Sequence, residues 1–167
     1  MKEKRFVLLS VCVIFMLILG GCGKVEQEHL TVYSFSGENE QFSVSNGVII
    51  LTDTDEIFSG GNLKITGNSI DNITSYSTTF YIISRDGDDI ILSNSVGDMT
   101  GGTVNVSGDL GKVSGDGIIS KQRADDIITG DLKNNLYFEL TTIDKFGEES
   151  VYQLQMSLVE VTKNTNS

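Results

Sequence analysis

The sequence predicts an all-β protein, an antiparallel β-sandwich of the immunoglobulin-like kind with about nine strands. Residues 30–162 are rich in Ile, Val, Thr, Tyr and Phe, which favour strands, and Gly, Asn, Asp and Ser interrupt these residues repeatedly. The chain contains no proline, and no segment has a convincing helical period. Short strands separated by turn residues are typical of two sheets that bury alternate side chains between them.

Nine segments carry the predicted strands: residues 30–35, 48–52, 63–66, 78–84, 89–93, 103–107, 117–121, 136–142 and 151–161. The last segment has the clearest alternation, because Tyr152, Leu154, Met156 and Leu158 are separated by polar residues. We expect these four side chains to share the buried face of an antiparallel strand whose other face is exposed to solvent.

Turn residues lie between the predicted strands. Asn46-Gly47 predicts a tight turn, and Arg85-Asp86-Gly87-Asp88 and Arg123-Ala124-Asp125 predict hairpins.

The sequence also resembles itself at an offset of 41 residues, without a gap over 19 residues. Ile49-Ile50-Leu51 aligns with Ile90-Ile91-Leu92, and residues 59–67 align with residues 100–108. The pattern indicates either a duplicated strand–loop–strand unit or a similarity that arose independently in strands separated by glycines.

The first 21 residues have the charged, apolar and small-residue order of a signal peptide. Lys2, Lys4 and Arg5 precede an apolar run of 14 residues, 6–19, which Gly20 and Gly21 follow. A helix that crosses a bilayer needs roughly 20 apolar residues. The run therefore predicts a cleaved signal rather than a permanent membrane span.

Leu19-Gly20-Gly21-Cys22 resembles the lipobox of bacterial lipoproteins. The resemblance implies that the thiol of Cys22 receives a diacylglyceryl group, with fatty-acyl chains such as palmitate, and that the chain is cut before this residue. Two acyl chains hold a protein stably on a membrane, since each buried methylene contributes about 0.8 kcal/mol. An ordinary secretory signal with a coincidental cysteine is the alternative.

These motifs and the strand-rich segment predict four parts of the chain. Residues 1–21 are the lipoprotein signal peptide, residues 22–29 are a lipid-bearing tether, residues 30–162 form the sandwich, and residues 163–167 are a disordered polar tail. The expected location is the cell membrane, with the protein lipid-anchored on its extracytoplasmic face. The sequence leaves open whether this is a plasma or an outer membrane.

The net charge and the small number of reactive side chains argue against several classes of function. From Cys22 onward the chain has 9 Lys and Arg against 22 Asp and Glu, a net charge of −13. This balance argues against nucleic-acid binding and against adhesion to anionic lipid through the protein surface. His29, the single histidine, lies in the tether, so the groups needed for Ser-His or Cys-His catalysis and for zinc, copper or haem binding are lacking. We therefore expect no enzyme and no cofactor besides the lipid.

Carboxylates are abundant, and they form three clusters: Asp53, Asp55 and Glu56; Asp86, Asp88 and Asp89; and Asp125 and Asp126. These aspartates are candidate calcium ligands, because calcium takes six to eight oxygen ligands. The ordinary alternative is that Asp occupies hairpin turns, where it bonds its own backbone. A carboxylate pair that hydrolyses glycans is a third hypothesis, weakened by the lack of Trp and by Tyr and Phe residues spread singly along the strands.

One further segment, residues 33–42, contains Phe35-Ser36-Gly37-Glu38 and ends at Phe42. It resembles the Phe-x-Gly-Glu-x-x-x-Trp or Phe opening of small all-β lipoproteins of low-GC Gram-positive bacteria, whose domains have no established activity. Phe42 stands where Trp is commoner. The resemblance implies a similar fold and a similar location, but it identifies no functional residues. We expect Phe35 and Phe42 to be core residues at either end of a turn built on Gly37.

Together these observations predict a non-catalytic, membrane-anchored module that binds an envelope protein or glycan through its loops. A calcium-binding envelope protein and a carboxylate-pair glycan hydrolase are the alternatives.

Replacing the predicted lipid attachment residue tests the anchor directly. Cys22→Ser removes the thiol that would carry the acyl chains, so the variant should leave the membrane fraction or be mislocalised. Fractionation of cells that express the two forms measures this. Persistent membrane attachment of the variant would contradict the predicted anchor.

Overall fold

The computed structural model describes residues 30–84, 87–119 and 128–162. These residues form two antiparallel sheets with eleven strands and one short helix. The strands are β1 (Thr31–Glu38), β2 (Phe42–Leu51), β3 (Glu56–Ser59), β4 (Asn62–Ile65), β5 (Ile73–Ser84), β6 (Gly87–Gly97), β7 (Gly108–Asp109), β8 (Lys112–Gly115), β9 (Leu136–Asp144), β10 (Glu149–Gln155) and β11 (Ser157–Glu160), and the helix is α1 (Ile128–Asn135). The predicted all-β antiparallel sandwich is confirmed, with eleven strands instead of about nine.

Sheet A has the strand order β11-β1-β2-β3-β8, with β4 beside β2 and β7 beside β4. Sheet B has the order β10-β9-β5-β6. Strand β2 has two partners in succession, because its first half pairs with β4 and its second half pairs with β3. Asn46, with a φ of 59°, and Gly47 lie where the partner changes. The predicted turn at Asn46-Gly47 is therefore wrong: these residues lie inside a strand, beside a shift in register against β1.

Five phenylalanines form the centre of the core. The Phe80 ring of sheet B lies 5.0 Å from Phe58 and 5.6 Å from Phe35 in sheet A, measured between ring centroids. Within sheet B its centroid is 4.9 Å from that of Phe138, which in turn lies 5.7 Å from Phe42. All five side chains are at most 2% exposed. These contacts hold the inner faces of the two sheets together.

Two glycines make room for these rings. A Cβ added to Gly47 would overlap the ring of Phe35, and one added to Gly60 would lie 2.8 Å from Cε2 of Phe80. Both positions therefore require a residue without a side chain.

The burial of Phe35 and Phe42 is confirmed, but the turn between them is not built on Gly37. Asn39 forms it, since its Oδ1 accepts a hydrogen bond from the backbone N of Phe42 at 2.9 Å. Gly37 lies inside β1, where an added Cβ would be 3.0 Å from Cε of Met156.

The predicted strand 151–161 is split between the two sheets. Strand β10 of sheet B ends at Gln155, and after Met156 the chain continues as β11 in sheet A. The backbone N of Met156 donates to the carbonyl of Leu136 at 2.9 Å. The expected buried face is confirmed, because Met156 is 2% exposed and Tyr152, Leu154 and Leu158 pack against the core.

Several elements differ from the predicted ones. Residues 103–107 are not a strand, because Val104 and Ser107 bond to different segments: Val104 N donates to the Ile73 carbonyl, and Ser107 Oγ accepts from Ile65 N. Residues 117–119 form a turn. Strands β3, β7 and β8 and helix α1 were not expected. The helix is short and polar and buries Leu132, too little apolar sequence to give a helical period.

The two segments that align at an offset of 41 residues do not form equivalent units. Residues 49–51 lie in the middle of sheet A, whereas residues 90–92 lie at the edge of sheet B. Strand β4 belongs to the first segment, and the matching residues of the second are irregular. Strands β5 and β6 pair antiparallel with Ser84 opposite Gly87, which is the arrangement that the hairpin predicted at 85–88 requires. Residues 1–29, 85–86, 120–127 and 163–167, and the predictions made for them, lie outside the described residues.

The sandwich has two ends, which the strand registers define. The tether end is where residue 30 leads into β1, and Thr31 pairs there with Leu51 beside the β2–β3 hairpin. The chain runs from Glu149 through β10 and β11 to Glu160, which pairs with Tyr33 near the tether end. The β9–β10 hairpin therefore lies at the opposite end, which we call the distal end.

The packing of Gly47 under Phe35 gives a stability prediction. Gly47→Ala should destabilise the fold by about 3 kcal/mol, because the ring or the strand must shift. Gly115→Ala in β8 is the control, since a Cβ there would meet its nearest atom at 3.8 Å. Urea unfolding measures both, and equal stabilities of the two variants would contradict the prediction.

Candidate functional site

The outer face of sheet B carries small side chains over its distal half. Phe138, Phe80 and their alternating neighbours face the core, so the residues between them face outward. In one outward row Ser77 pairs with Ser95 and with Thr141. These residues come from three strands, and each places a hydroxyl on the face.

In the next row toward the distal end Ser75 lies between Gly97 and Ile143. The small residues of the two rows leave a depression with a volume of about 440 Å³. Ile143 forms an apolar side, and it is 36% exposed. Glu149, which pairs with Ile143, adds one carboxylate. We call this site the sheet B depression.

The chemistry of the sheet B depression is that of neutral hydroxyl groups. Each Ser or Thr hydroxyl donates one hydrogen bond and accepts others. The adjacent outward row continues the pattern, with Thr79 Oγ1 lying 3.1 Å from Ser93 Oγ. Because the sequence from Cys22 onward has a net charge of −13, an anionic ligand would be repelled. The surface is suited to a neutral ligand rich in hydroxyl or amide groups.

Two exposed apolar side chains lie in the loops that follow the strands of the depression. Met99 comes two residues after Gly97 and is 104% exposed, and Phe146 comes three residues after Ile143 and is 80% exposed. The Nζ of Lys145 lies 5.1 Å from the centroid of the Phe146 ring. Exposed aromatic and sulfur-containing side chains in loops are typical of recognition surfaces.

A tyrosine pair lies on the same outer face toward the tether end. Tyr81 and Tyr137 stack with ring centroids 5.8 Å apart and planes at 18°. Burial raises the pKa of Tyr81, and the charges of Glu139 and Asp88 and the neighbouring Tyr137 raise it further. The prediction that Tyr and Phe side chains lie apart from one another is therefore wrong. Strand pairing brings together two tyrosines that are distant in sequence.

The structure does not bring the first acidic cluster together. Asp53 and Asp55 are exposed at the β2–β3 hairpin, whereas Glu56 is 6% exposed and its Oε2 accepts a hydrogen bond from Ile119 N at 2.6 Å. Thr52 closes this turn, since its Oγ1 donates to the Asp55 carbonyl and accepts from Asp55 N, each at 2.8 Å.

The second acidic cluster lies on the other sheet. Asp88 and Asp89 are at the start of β6, and Asp86, Asp125 and Asp126 lie outside the described residues. Within residues 30–84, 87–119 and 128–162, no three His, Cys, Asp or Glu side chains form a group that could hold a metal ion. Calcium binding stays a prediction.

Asp98 is a carboxylate that the sequence reasoning did not select. Its Oδ1 accepts hydrogen bonds from Oγ1 of Thr100 at 2.6 Å and from Thr100 N at 2.7 Å. These bonds lower the pKa of Asp98, with the side-chain bond contributing most. They fix the loop that carries Met99. In the sequence, an Asp followed two residues later by Thr is the pattern that could have predicted this hydrogen-bonded turn.

Comparisons with protein-family models, with curated proteins and with solved structures found no match. Within the described part of the chain, no helix has the length and apolar character needed to cross a membrane.

The hydrogen bonds to Asp98 give a pH prediction. The pKa of Asp98 should lie below its ordinary value of 3.8, and Thr100→Val should raise it, because the strongest bond to the carboxylate is lost. Since the folded-state pKa is lowered, the stabilisation is present above the unfolded-state pKa and is lost as the pH falls through the folded-state value. A carboxyl-carbon NMR titration of both proteins measures the change. An unchanged pKa in Thr100→Val would contradict the assignment.

Proposed function

We propose that the protein is a non-catalytic, lipid-anchored binding module of the cell envelope, and that it holds an envelope glycan or protein in the sheet B depression. The observation that carries this proposal is the depression itself. It joins a hydroxyl-lined floor from three strands to exposed Met99 and Phe146 in the adjacent loops.

The lining favours a glycan. Sugar hydroxyls can exchange hydrogen bonds with Ser77, Ser95 and Thr141, and the Glu149 carboxylate can accept bonds from adjacent hydroxyls. The exposed ring of Phe146 offers an apolar surface for the carbon face of a sugar. A protein partner would use the same loops, with Met99 and Phe146 as its main contacts.

A binding role also suits the carboxylates of this face. Glu139 and Glu149 both project from the outer face of sheet B, and Glu149 pairs with Ile143, four residues along β9 from Glu139. At the usual rise along a strand, their Cα atoms are about 14 Å apart. The carboxyl groups of glycoside hydrolases flank the scissile bond at roughly 5 to 10 Å. The Oε2 of Glu139 accepts a hydrogen bond from Nε2 of Gln153 at 3.0 Å, which directs this carboxylate across to β10 and not along the strand toward Glu149. This supports retention of a glycan rather than its cleavage.

The proposed anchor and the depression lie at opposite ends. A tether from Cys22 to residue 29 would reach at most about 27 Å when fully extended. It would join the fold at the tether end, whereas the depression lies on the distal half of sheet B. A ligand could therefore approach the depression without meeting the membrane.

Filling the depression tests the proposal. Ser77→Arg places a long charged side chain on its floor, and Ser36→Arg is the matched control on the outer face of sheet A. We expect the lipidated wild-type protein to sediment with insoluble, purified peptidoglycan, and Ser77→Arg to bind at least about tenfold more weakly, since the hydroxyl floor is blocked. Ser36→Arg should bind like the wild type.

Each outcome bears on one part of the proposal. Equal binding by Ser77→Arg and the wild type would remove the depression as the site. If the wild type does not sediment, the peptidoglycan ligand is excluded. Chemical cross-linking to an envelope protein that is lost in Ser77→Arg and kept in Ser36→Arg would then support the protein form of the proposal.

A further inference from the structure

The outer face of sheet A carries a band of aliphatic side chains. Val32 pairs with Ile50, and Ile50 pairs with Ile57, so these residues form one row across three strands. The backbone N of Val161 donates to the Val32 carbonyl at 2.8 Å, which extends the row to the far side of β1. In the next row Val48 and Val159 lie on either side of Ser34. We call these six aliphatic residues the sheet A band.

The composition of this face is unusual for a sheet surface that faces outward. Antiparallel sheets usually alternate apolar residues inside with polar residues outside. Here Val159 and Val161 are 61% and 57% exposed, and Val48 and Ile50 are half-buried. Contiguous apolar surface of this kind marks a docking face.

The charge on this face differs from that of the whole chain. The register places four charged side chains outward on sheet A: Glu38, Lys64, Asp109 and Lys112. Their charges sum to zero, whereas the chain from Cys22 onward has a net charge of −13. Lys112 lies in the row of Val48, next to the band, while Glu38 and Asp109 lie farther toward the distal end. The two rows of the band contain Lys112 and no carboxylate, while Asp53 and Asp55 are exposed at the adjoining β2–β3 hairpin. Lys112 is therefore the charged group of these two rows that would meet anionic headgroups.

The position of the chain entry brings a bilayer close to the band. Leu30 is 51% exposed and precedes β1, two residues before Val32. A lipid on Cys22 would be separated from Leu30 by at most about 27 Å of extended chain. Such a short tether keeps the face at a high effective concentration beside the membrane that holds the lipid.

We propose that the sheet A band lies against the interfacial region of the anchoring bilayer, so that sheet B and its depression face away from the membrane. This inference rests on the proposed lipid anchor. The band orients the domain, and the lipid retains it, so the net charge of −13 does not oppose the arrangement and Cys22→Ser still releases the protein. The two outer faces of the sandwich then have separate partners.

Two matched valines allow the orientation to be measured. Val159→Cys lies on the outer face of sheet A and Val151→Cys on that of sheet B, and the native side chains are 61% and 53% exposed. With Cys22 lipidated and Cys12 removed with the signal peptide, each variant has one free thiol for a fluorophore. The lipidated proteins are reconstituted into vesicles of phosphatidylethanolamine and phosphatidylglycerol that contain a brominated lipid. We expect quenching at residue 159 to exceed that at residue 151 by about threefold or more.

Charge reversal at the edge of the band gives a second measurement that does not depend on the core. Lys112→Glu should reduce the quenching at residue 159 about twofold, because it adds repulsion from anionic headgroups. Lys145→Glu in the β9–β10 hairpin is the control and should leave the quenching unchanged. Sedimentation with vesicles should be the same for both, since the lipid holds them.

The outcomes separate this inference from the proposed function. A lipidated, vesicle-bound protein with equal quenching at the two positions would overturn the orientation and leave the anchored binding module standing. Dipolar coupling between spin labels at residue 159 of two molecules, without lipid quenching, would assign the band to a second copy and also overturn it. A mass spectrum that shows no lipid on Cys22 would overturn both the anchor and the orientation.

Discussion

The ring of Phe80 lies between the two sheets, and it contacts Phe35 and Phe58 of sheet A and Phe138 of its own sheet. Aromatic pairs in such edge-to-face arrangements contribute about 0.5–1.5 kcal/mol each beyond the burial of their surface. Their approach depends on Gly47, whose lack of a side chain leaves space for the ring of Phe35. With no cysteine pair available in the proposed mature chain, this cluster is the main link between the layers.

The alternation of side chains along each strand then decides the two outer faces. Once Phe80 and Phe138 point inward, Ser77 and Thr141 must point outward on sheet B. In the same way, burial of Ile49 places Val48 and Ile50 on the outer face of sheet A. One face becomes hydroxyl-lined and the other becomes apolar. Because of this difference, we propose that sheet B binds the ligand and that sheet A faces the membrane.

The candidate site is a surface assembled by strand pairing rather than a cleft between reactive groups. Its hydroxyls come from β5, β6 and β9, and hydrogen bonding between these strands places Ser77, Ser95 and Thr141 in one row. Such a surface supplies hydrogen bonds and shape. These properties support the binding function that we propose.

Local patterns in the sequence determined the fold class and parts of the core. The alternation at 152–158, the burial of Phe35 and Phe42 and the hairpin at 85–88 could all be predicted, because propensity and period act between neighbouring residues. The proposed signal peptide and the proposed lipid attachment at Cys22 rest on short contiguous motifs, which only the sequence displays.

Tertiary structure decided which strands became partners. It placed Asn46-Gly47 inside β2, divided residues 151–161 between two sheets at Met156 and paired Tyr81 with Tyr137. It also assembled the sheet B depression and the sheet A band from residues distant in the chain. Strand pairing joins residues that are far apart in sequence, and the free energy that selects one register comes from core packing across the whole fold, so no local pattern encodes it.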